Sequence, residues 1–385
     1  MKAKTPIRRA LRILSLILAL LLFVSFAQTY LLRNNERDAL RMDGFRMEEK
    51  NSLDVVILGS SEVYADFASA YAYELEGFTS YPYAVASCPV TLWKTMTEDI
   101  LATQSPQLIV VEINGALYMK LRWLYNNAAF HYILDGMPLG ENKTEALNTL
   151  LRDRNDEKET YILPILKYHS TWQDPADLAA NLENVSGMRQ RGHTLLRGVS
   201  TSTAIHEPEA ALRKLKGNDR TSPLHAEAET YLREYLEYCR EKGLNVLFTC
   251  FPHQIEKIKG NVLYANFMRT NTAEQIIAEY GFPFLNLEKL SKEIGLDYTT
   301  DFYNTSHLNI YGQKKVTEYL SRYLVEQCGV VPGDHGEAQK AAWEESAAWY
   351  DLYSEYAESL LQAGTARTLS ETERTLRVLE SRKSS

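Results

Sequence analysis

Cysteine is scarce in this chain and its four copies are scattered: they stand far apart along 385 residues, at Cys88, Cys239, Cys250 and Cys328. Their spacing matches neither a zinc motif nor the dense framework of a disulfide-stapled domain. The eight histidines also lack a paired ligand motif. We therefore predict no metal and no cofactor, and we expect the cysteines to be small buried hydrophobes or, in an oxidising compartment, to form one disulfide.

Basic clusters are missing beyond the N-terminus, and the net charge is −8. This charge balance argues against nucleic-acid binding. A glycine-rich phosphate loop, internal repeats and low-complexity segments are also missing from the sequence. With 45% hydrophobic and 24% charged residues, the chain has the composition of an exported globular protein with one large domain and appendages.

An apolar segment stands close to the N-terminus. Five basic residues between Lys2 and Arg12 precede the uncharged run Ile13 to Ala27, which continues with few polar residues to Leu32. About 20 such residues cross a hydrocarbon core, and flanking positive charge stays cytoplasmic. We expect residues 13–32 to insert in the lipid bilayer of the cell membrane as a single span, with the C-terminal body extracytoplasmic. A small-x-small cleavage site ending at Ala27 is the alternative, a removed signal peptide.

Strands and helices alternate through the body of the chain. Predicted strands are Asp54–Leu58, Tyr81–Ala86, Gln107–Ile113, Leu244–Cys250 and Pro283–Leu287; predicted helices are Val90–Ala102, Pro223–Lys242, Tyr264–Tyr280 and Ile310–Val325. This order is typical of an α/β fold with a doubly wound or flavodoxin-like parallel sheet of about five strands.

Three regions follow from this pattern. Residues 1–33 are the basic stub and transmembrane anchor, 34–330 the α/β domain, and 331–385 a linker and helical tail. The domain carries an insertion at about 116–220, too long for a plain loop, which we expect to be mostly helical and to form a cap or rim over the site. In the tail, Ser370 and Glu373 form a capping-box pattern for a second helix, after a first over about 337–362. The tail either packs back on the domain or binds a partner helix.

A serine and a histidine are the strongest candidates for chemistry. Ser61 follows the first strand at a glycine-containing turn into a helix, so it stands at the carboxyl edge of the sheet where ligands bind. His307 lies in a polar loop just before the last helix of the domain, with Asp301 and Asn304 close by. A histidine oriented in this way serves as a general base. The alternative for Ser61 is ordinary turn and helix-capping chemistry.

These segments resemble the SGNH/GDSL hydrolase superfamily over roughly 52–327. Gly59-Ser60-Ser61 stands where that family carries its Gly-Asp-Ser block, and His307 where it carries the histidine of its Asp-x-x-His block. The run from His307 to Gly312 and the N-terminal apolar segment look most like the membrane-tethered cell-envelope branch. That branch includes the D-alanyl-lipoteichoic acid biosynthesis protein and the alginate O-acetyltransferase proteins.

The resemblance assigns further roles and also shows departures. The family's acid position is occupied by Asn304, so we expect Asp301 to be the acid and Asn304 to be a neutral group that orients the imidazole. Family members use a glycine and an asparagine as oxyanion donors; Ser87 and Asn114 follow the corresponding strands here, and no glycine stands in the first of these loops. For Ser87 a polar strand end, and for Asn114 a satisfied turn amide, are the alternatives.

One stretch of the insertion resembles a sugar-binding surface. His169 and Trp172 stand together in an aromatic and basic run, and aromatic faces bind sugars through apolar area with a polar handle. Similar stretches occur in relatives of the envelope branch, so we take both residues as substrate-binding candidates. The alternative is a helix edge that packs on the domain.

The function that these inferences support is extracytoplasmic acyl transfer through an acyl-serine. The enzyme would be an esterase with water as acceptor, or an O-acetyl or D-alanyl transferase with a hydroxyl of a cell-envelope polysaccharide or teichoic acid. The resemblance implies a membrane-bound O-acyltransferase partner as acyl supplier. The alternative is a catalytically silent accessory that binds envelope glycan or scaffolds that partner. A secreted lipase fits less well because the sequence contains no strongly apolar lid.

Overall fold

A computed structural model describes residues 4–34, 36–151 and 157–383 of the chain. It opens with the long helix α1 (Lys4–Phe26), which continues as a π-helical turn over Ala27–Leu31 and is followed by α2 (Arg37–Met47). The stretch Arg8–Leu31 is long and apolar enough to cross a membrane, a property that signal sequences share. The leucines along α1 are exposed, whereas Ala27 is buried against the body. Membrane insertion and its sidedness stay predictions.

A five-stranded parallel sheet forms the centre of the body, with strand order β2-β1-β3-β5-β6. Its strands are β1 (Val55–Gly59), β2 (Ser80–Ala84), β3 (Leu108–Glu112), β5 (Val246–Cys250) and β6 (Phe284–Asn286). Alternate side chains of β1 enter two different apolar clusters, with Val56 and Leu58 in one and Val55 and Ile57 in the other. The sheet is therefore covered by helices on both faces, as buried parallel strands require. The predicted α/β sheet is confirmed in its strand number and direction.

Helices connect the strands of the sheet, and a small β-hairpin precedes the last helix of the domain. The helices are α3 (Ser61–Asp66), α4 (Ser69–Glu76), α5 (Trp93–Leu101), α12 (Ala226–Glu241), α13 (Val262–Glu279), α14 (Ser291–Ile294) and α15 (Ile310–Glu326), and the hairpin pairs β7 (Phe302–Asn304) with β8 (His307–Leu308). The helix expected from about Pro223 begins three residues later, at Ala226, because His225 is the N-cap of α12 and accepts the Glu227 N–H.

The insertion is helical in its first two thirds. It contains α6 (Leu121–Leu124), α7 (Asn127–Leu134), α8 (Glu141–Leu150), α9 (Lys158–Ile162), α10 (Ile165–Tyr168), a 3₁₀ segment over His169–Gln173, α11 (Pro175–Arg191) and the strand β4 (Ser200–Ser202). Helix α11 packs against the π-helical turn at the end of α1. There the Asn181 amide donates to the Leu31 carbonyl at 2.8 Å. This part of the insertion thus holds the end of the apolar helix.

The tail packs back on the domain. It consists of α16 (Gly336–Gln362), β9 (Thr368–Ser370) and α17 (Glu373–Lys383). Strand β9 pairs antiparallel with β4, and α16 packs on α4. Ser370 is part of β9, so its predicted capping role was wrong; the Thr372 hydroxyl accepts the Thr375 N–H instead. The cysteines are free thiols, with Cys328 half-buried and the other three buried.

Candidate active site

Ser61 is the first residue of α3, directly beyond the carboxyl end of β1. The turn before it requires glycine, because a Cβ at Gly59 would lie 2.6 Å from the Cβ of Glu112 on the neighbouring strand. Ser60 then adopts an extended conformation, and the chain turns into the helix. Ser61 is half-buried at the sheet edge, so a ligand can reach it. Within this first turn, the Val63 N–H donates to the Ser60 carbonyl at 3.2 Å.

His307 meets Ser61 although 246 residues separate them. The distance between Ser61 Oγ and His307 Nε2 is 2.7 Å. The hairpin that carries the histidine is fixed to α3, because the Leu308 N–H donates to Asp66 Oδ1 at 2.9 Å. The two residues that the sequence singled out are therefore hydrogen-bonded at the carboxyl edge of the sheet.

Asn304 determines which nitrogen of His307 carries the proton. Its Oδ1 accepts the Ser306 N–H at 2.8 Å and lies 3.1 Å from His307 Nδ1. An oxygen acceptor at Nδ1 requires a proton on that nitrogen, so Nε2 of the neutral ring accepts from the Ser61 hydroxyl. Burial lowers the pKa of His307, against the opposing effect of Glu62. The imidazole is therefore neutral and in the tautomer that a general base needs.

Asp301, our expected acid, has other partners. Its carboxylate forms an ion pair with Lys315 at 2.7 Å and accepts the Asp297 N–H at 2.7 Å and the Thr300 hydroxyl at 3.0 Å. The preference for Asp301 over Asn304 is thus corrected: Asn304 is the group at Nδ1. The hairpin explains the difference, since the β7 strand carries Asn304 to the histidine while Asp301, just before the strand, faces α15.

The carboxylate closest to Ser61 is that of its neighbour Glu62. Glu62 is buried, with Oε2 3.4 Å from Ser61 Oγ and Oε1 2.7 Å from Asn114 Nδ2. Behind it, His253 Nε2 lies 3.6 Å from Glu62 Oε1, and His253 Nδ1 lies 2.6 Å from Glu288 Oε1. A row of alternating charges, Glu62–His253–Glu288, therefore stands directly behind the serine.

Charge states in this row differ sharply. Burial alone would raise the pKa of Glu62, but hydrogen bonding and charge from His253, together with His307 and Ser60, lower it to about 2. Burial alone would lower the pKa of His253, but Glu288 and Glu62 hold it well above its ordinary value. Burial, and then the charge of Glu62, raise the pKa of Glu112 to about 8. At neutral pH, Glu62 is thus ionised, His253 is protonated and Glu112 is neutral.

The two oxyanion candidates are placed near this edge but have other partners. One amide hydrogen of Asn114 is donated to Glu62, and its backbone N–H donates to Glu112. Ser87 has a φ of 51°, in the left-handed region that favours glycine, and its carbonyl accepts from Asn126 at 3.2 Å. These contacts do not test an oxyanion role for Asn114 or Ser87, so both roles stay predictions.

The substrate candidates of the insertion lie at the end of the apolar helix. His169 Nδ1 contacts the Leu166 carbonyl at 2.8 Å, and Trp172 is 63% exposed. Their 3₁₀ segment packs on α11, which in turn packs on the π-helical turn. This stretch therefore packs toward the apolar helix, and its role as a sugar-binding cap stays a prediction.

A cavity of about 480 Å³ lies against the hairpin that carries His307, although neither Ser61 nor His307 belongs to its lining. Tyr303 lines it and stacks on His307, with ring centroids 5.4 Å apart and planes at 18°. The other linings are aromatic, hydroxylated or charged and include Tyr64, Tyr132, Ser200, Thr201, Arg37 and Arg41. Such a lining suits a polar ligand with several hydroxyl groups.

From the sequence, His253 falls at the carboxyl edge of the sheet as a structural or solvent-facing residue, but its row with Glu62 and Glu288, and Glu112 beside that row, were missed. Glu62, Glu112, His253 and Glu288 each stand within a few residues of the carboxyl end of a parallel strand. That shared position was the available signal, because such ends converge at one edge of the sheet. Among the described residues, no group of three or more His, Cys, Asp or Glu side chains is arranged to hold a metal.

Comparison with known proteins adds no family. No protein-family model matches this chain, and no curated protein is significantly similar to it. The function therefore has to be argued from the site itself.

Proposed function

We propose that this protein is an acyl-transfer enzyme that works through an acyl-serine. The observation that carries the proposal is the 2.7 Å contact between Ser61 Oγ and His307 Nε2, with Nδ1 held by Asn304. A half-buried serine whose proton is accepted by an oriented neutral imidazole is an activated nucleophile. The resemblance to the SGNH/GDSL superfamily supports the same chemistry.

The reaction has two matching halves. Ser61 Oγ attacks the acyl carbonyl while its proton passes to His307 Nε2; the tetrahedral oxyanion collapses, and the leaving group takes that proton. The acceptor, water or a hydroxyl, then gives its proton to the same nitrogen and attacks the acyl-serine. Ser61 recovers its proton as the product leaves.

A positive imidazolium forms in both halves and needs a stabilising charge. Asn304 fixes the tautomer but is neutral, whereas the ionised Glu62 lies beside Ser61 and raises the His307 pKa. We assign Glu62 the electrostatic role that an acid at Nδ1 has in a Ser-His-Asp triad. The charge thus acts from the serine side of the ring.

The acceptor and the location complete the proposal. The tyrosine- and hydroxyl-lined cavity beside His307 suits a glycan or teichoic-acid hydroxyl as acceptor. With α1 inserted in the cell membrane, the site would act on cell-envelope polymers outside the cytoplasm. A membrane-bound O-acyltransferase partner would supply the acyl group, since an outer-face enzyme has no access to cytosolic acyl donors by itself.

Covalent labelling tests the nucleophile. The full-length chain in detergent is treated with a fluorophosphonate probe, and the adduct is measured by intact mass and located by peptide mapping. We expect one adduct, on Ser61 and not on Ser60, that is absent in Ser61→Ala. An adduct elsewhere, or equal labelling of Ser61→Ala, would contradict the proposal.

A non-catalytic accessory is the second candidate. The neutral Asn304 at the acid position and the occupied Asn114 amide favour it. Folded wild-type protein that takes no label, together with envelope acylation unchanged by Ser61→Ala and His307→Ala in cells, would establish the accessory role and exclude the enzyme.

A further inference from the structure

A second cavity, of about 330 Å³, lies where the apolar helix meets the body. Gln28 and Thr29 of the π-helical turn line one side. Leu139 and Ile162 of the insertion line another. The cavity is thus built jointly by the end of the apolar helix and the insertion, and it shares one lining residue, Tyr132, with the cavity against the His307 hairpin.

Cations outnumber acids in its lining. Arg33, Arg46, Lys143 and Arg189 face Asp43 and Asp135. The acids are already engaged: Asp43 pairs with Arg33, and Asp135 contacts His131 at 2.9 Å and the Tyr168 hydroxyl at 2.9 Å. The cavity therefore has surplus positive charge.

Lys143 is the most unusual of these cations. It is 2% exposed, and within the described ranges its Nζ has one hydrogen bond, to the Met137 carbonyl at 3.3 Å. Burial lowers its pKa to about 8, so the ammonium is still the main form at neutral pH. A buried ammonium without a carboxylate is costly unless another anion joins it.

Arg46 supplies unused donors beside it. Its Nη2 donates to Asp99 at 3.0 Å and to the Ile133 carbonyl at 2.8 Å. Nε and Nη1 are buried and have no acceptor in the part of the chain that the structure describes. Buried donors of this kind are normally satisfied, so their free state points to a missing ligand with acceptor oxygens.

The rim of this region is apolar and exposed. Leu139 and Ile162 of its lining are 69% and 41% exposed, and Trp172, in the 3₁₀ segment that packs on α11, is 63% exposed. Exposed leucine and tryptophan beside the end of a membrane-length helix suit the boundary between hydrocarbon and headgroups. The polar cavity then opens at the level of the lipid phosphates.

We propose that this cavity binds a phosphate group, held by Lys143, Arg46 and Arg189. A phosphate offers several acceptor oxygens to lysine and guanidinium donors, and basic pockets at the ends of membrane helices bind anionic headgroups. The phosphate comes from an anionic lipid or from solution, which the experiment separates. This site lies apart from Ser61 and is independent of the acyl transfer proposed above.

The test uses the full-length chain and two probes. In one arm it is reconstituted in nanodiscs of phosphatidylcholine with or without phosphatidylglycerol, and the retained lipid is counted by native mass spectrometry. In the other arm the detergent-solubilised protein is titrated with inorganic phosphate and followed by thermal shift. Lys143→Met and Arg189→Gln are compared with Lys242→Met, an exposed lysine at the end of α12.

We expect wild type and Lys242→Met to bind the anion at least about fivefold better than Lys143→Met and Arg189→Gln. Retention of phosphatidylglycerol over phosphatidylcholine assigns the site to a lipid, and stabilisation by inorganic phosphate alone assigns it to a soluble anion. Lys143→Met should fold at least as stably as wild type because it removes a buried charge. Equal binding by all four proteins in both arms would overturn the proposal. Fluorophosphonate labelling of Ser61 should be the same in all four, so failure of either proposal is distinguishable.

Discussion

Two histidines at the same edge of the sheet show opposite electrostatics. His307 faces Ser61 and the neutral Asn304, and burial lowers its pKa. His253 lies one layer behind, between Glu62 and Glu288, which hold its pKa well above the ordinary value. The front histidine is thus a neutral base, and the rear one is a fixed cation.

The difference shows how this site separates proton transfer from charge. A cation fixed behind Glu62 keeps that carboxylate ionised despite its burial, and the carboxylate then acts on the His307–Ser61 pair. In a triad with an acid at Nδ1, one residue provides both orientation and charge. Here Asn304 provides the orientation and Glu62 the charge. The orienting role and the charge can each be removed by a separate substitution.

The largest effect is expected from the front histidine. His307→Ala removes the base, so fluorophosphonate labelling of Ser61 should slow by roughly 10²–10⁴-fold, the usual contribution of a general base. His169→Ala is the matched control, because His169 is exposed and its Nδ1 contacts the Leu166 carbonyl within the insertion. Equal loss of labelling in both variants would show that the rate does not report on the base.

The next test removes the charge behind the serine. Glu62→Gln should slow labelling by roughly tenfold or more, because the imidazolium loses the negative charge that stabilises it. Glu62 raises the pKa of His307, so removing the Glu62 charge should lower that pKa. The rise of the labelling rate with pH, the acid limb of the pH–rate profile, should then move to lower pH. Glu288→Gln is the control. It removes the charge of the other carboxylate that contacts His253, and Glu288 has no contact with Ser61. If both variants shift the limb equally, the effect comes from His253 and not from Glu62.

The front of this site could be read from local sequence signatures, whereas the only sequence signal for the row behind it was the shared position of its residues near strand ends. Ser61 and His307 were found because a hydroxyl at a strand-to-helix turn and a histidine before the last helix have local signatures. Glu62 and Glu112 read locally as a helix residue and a strand end. Their meaning depends on which strands are neighbours, and β1 lies beside β3 only in the folded sheet.

The same contrast between local and long-range signals applies to the strands and the insertion. The five strands were predictable because runs such as Val55–Leu58 are uniformly apolar, as strands buried on both faces are. The direction of the insertion was not predictable, because an exposed tryptophan such as Trp172 suits a sugar site or a membrane boundary equally well. The Asn181 contact with Leu31, which fixes the insertion to the end of the apolar helix, joins residues 150 positions apart.

Adding a charge at Nδ1 would merge the two roles that the site keeps apart. Asn304→Asp preserves the acceptor for the Ser306 N–H and for His307 while adding a negative charge 3.1 Å from Nδ1. The His307 pKa should rise, so the acid limb should move to higher pH, with a change of about tenfold or less in the plateau rate. Asn304→Ala should slow labelling without moving the acid limb to higher pH, because it removes the orienting oxygen and adds no charge.

The pH dependence of thermal stability should report the protonation of the buried Glu112 carboxyl group. The pKa of Glu112 is raised from about 4.5 to about 8, so its contribution is complete below its ordinary pKa and is lost as pH rises through about 8. Wild-type Tm should therefore fall between about pH 5 and 8, and Glu112→Gln should flatten this slope. Glu241→Gln, at an exposed position, should keep the wild-type slope. An unchanged slope in Glu112→Gln would place the titration elsewhere.

The smallest effect on labelling is expected at the residue that the sequence favoured as the acid. Asp301→Asn keeps the shape of the side chain but removes the charge paired with Lys315, so the free energy of unfolding should fall by about 1–3 kcal/mol. Labelling of Ser61 should change by less than about threefold, because the Nδ1 contact belongs to Asn304. Urea unfolding and labelling rates measured on one preparation separate the two effects. A loss of labelling as large as that of Glu62→Gln would mean that charge reaches His307 through the hairpin, and the division between an orienting Asn304 and a charged Glu62 would then be wrong.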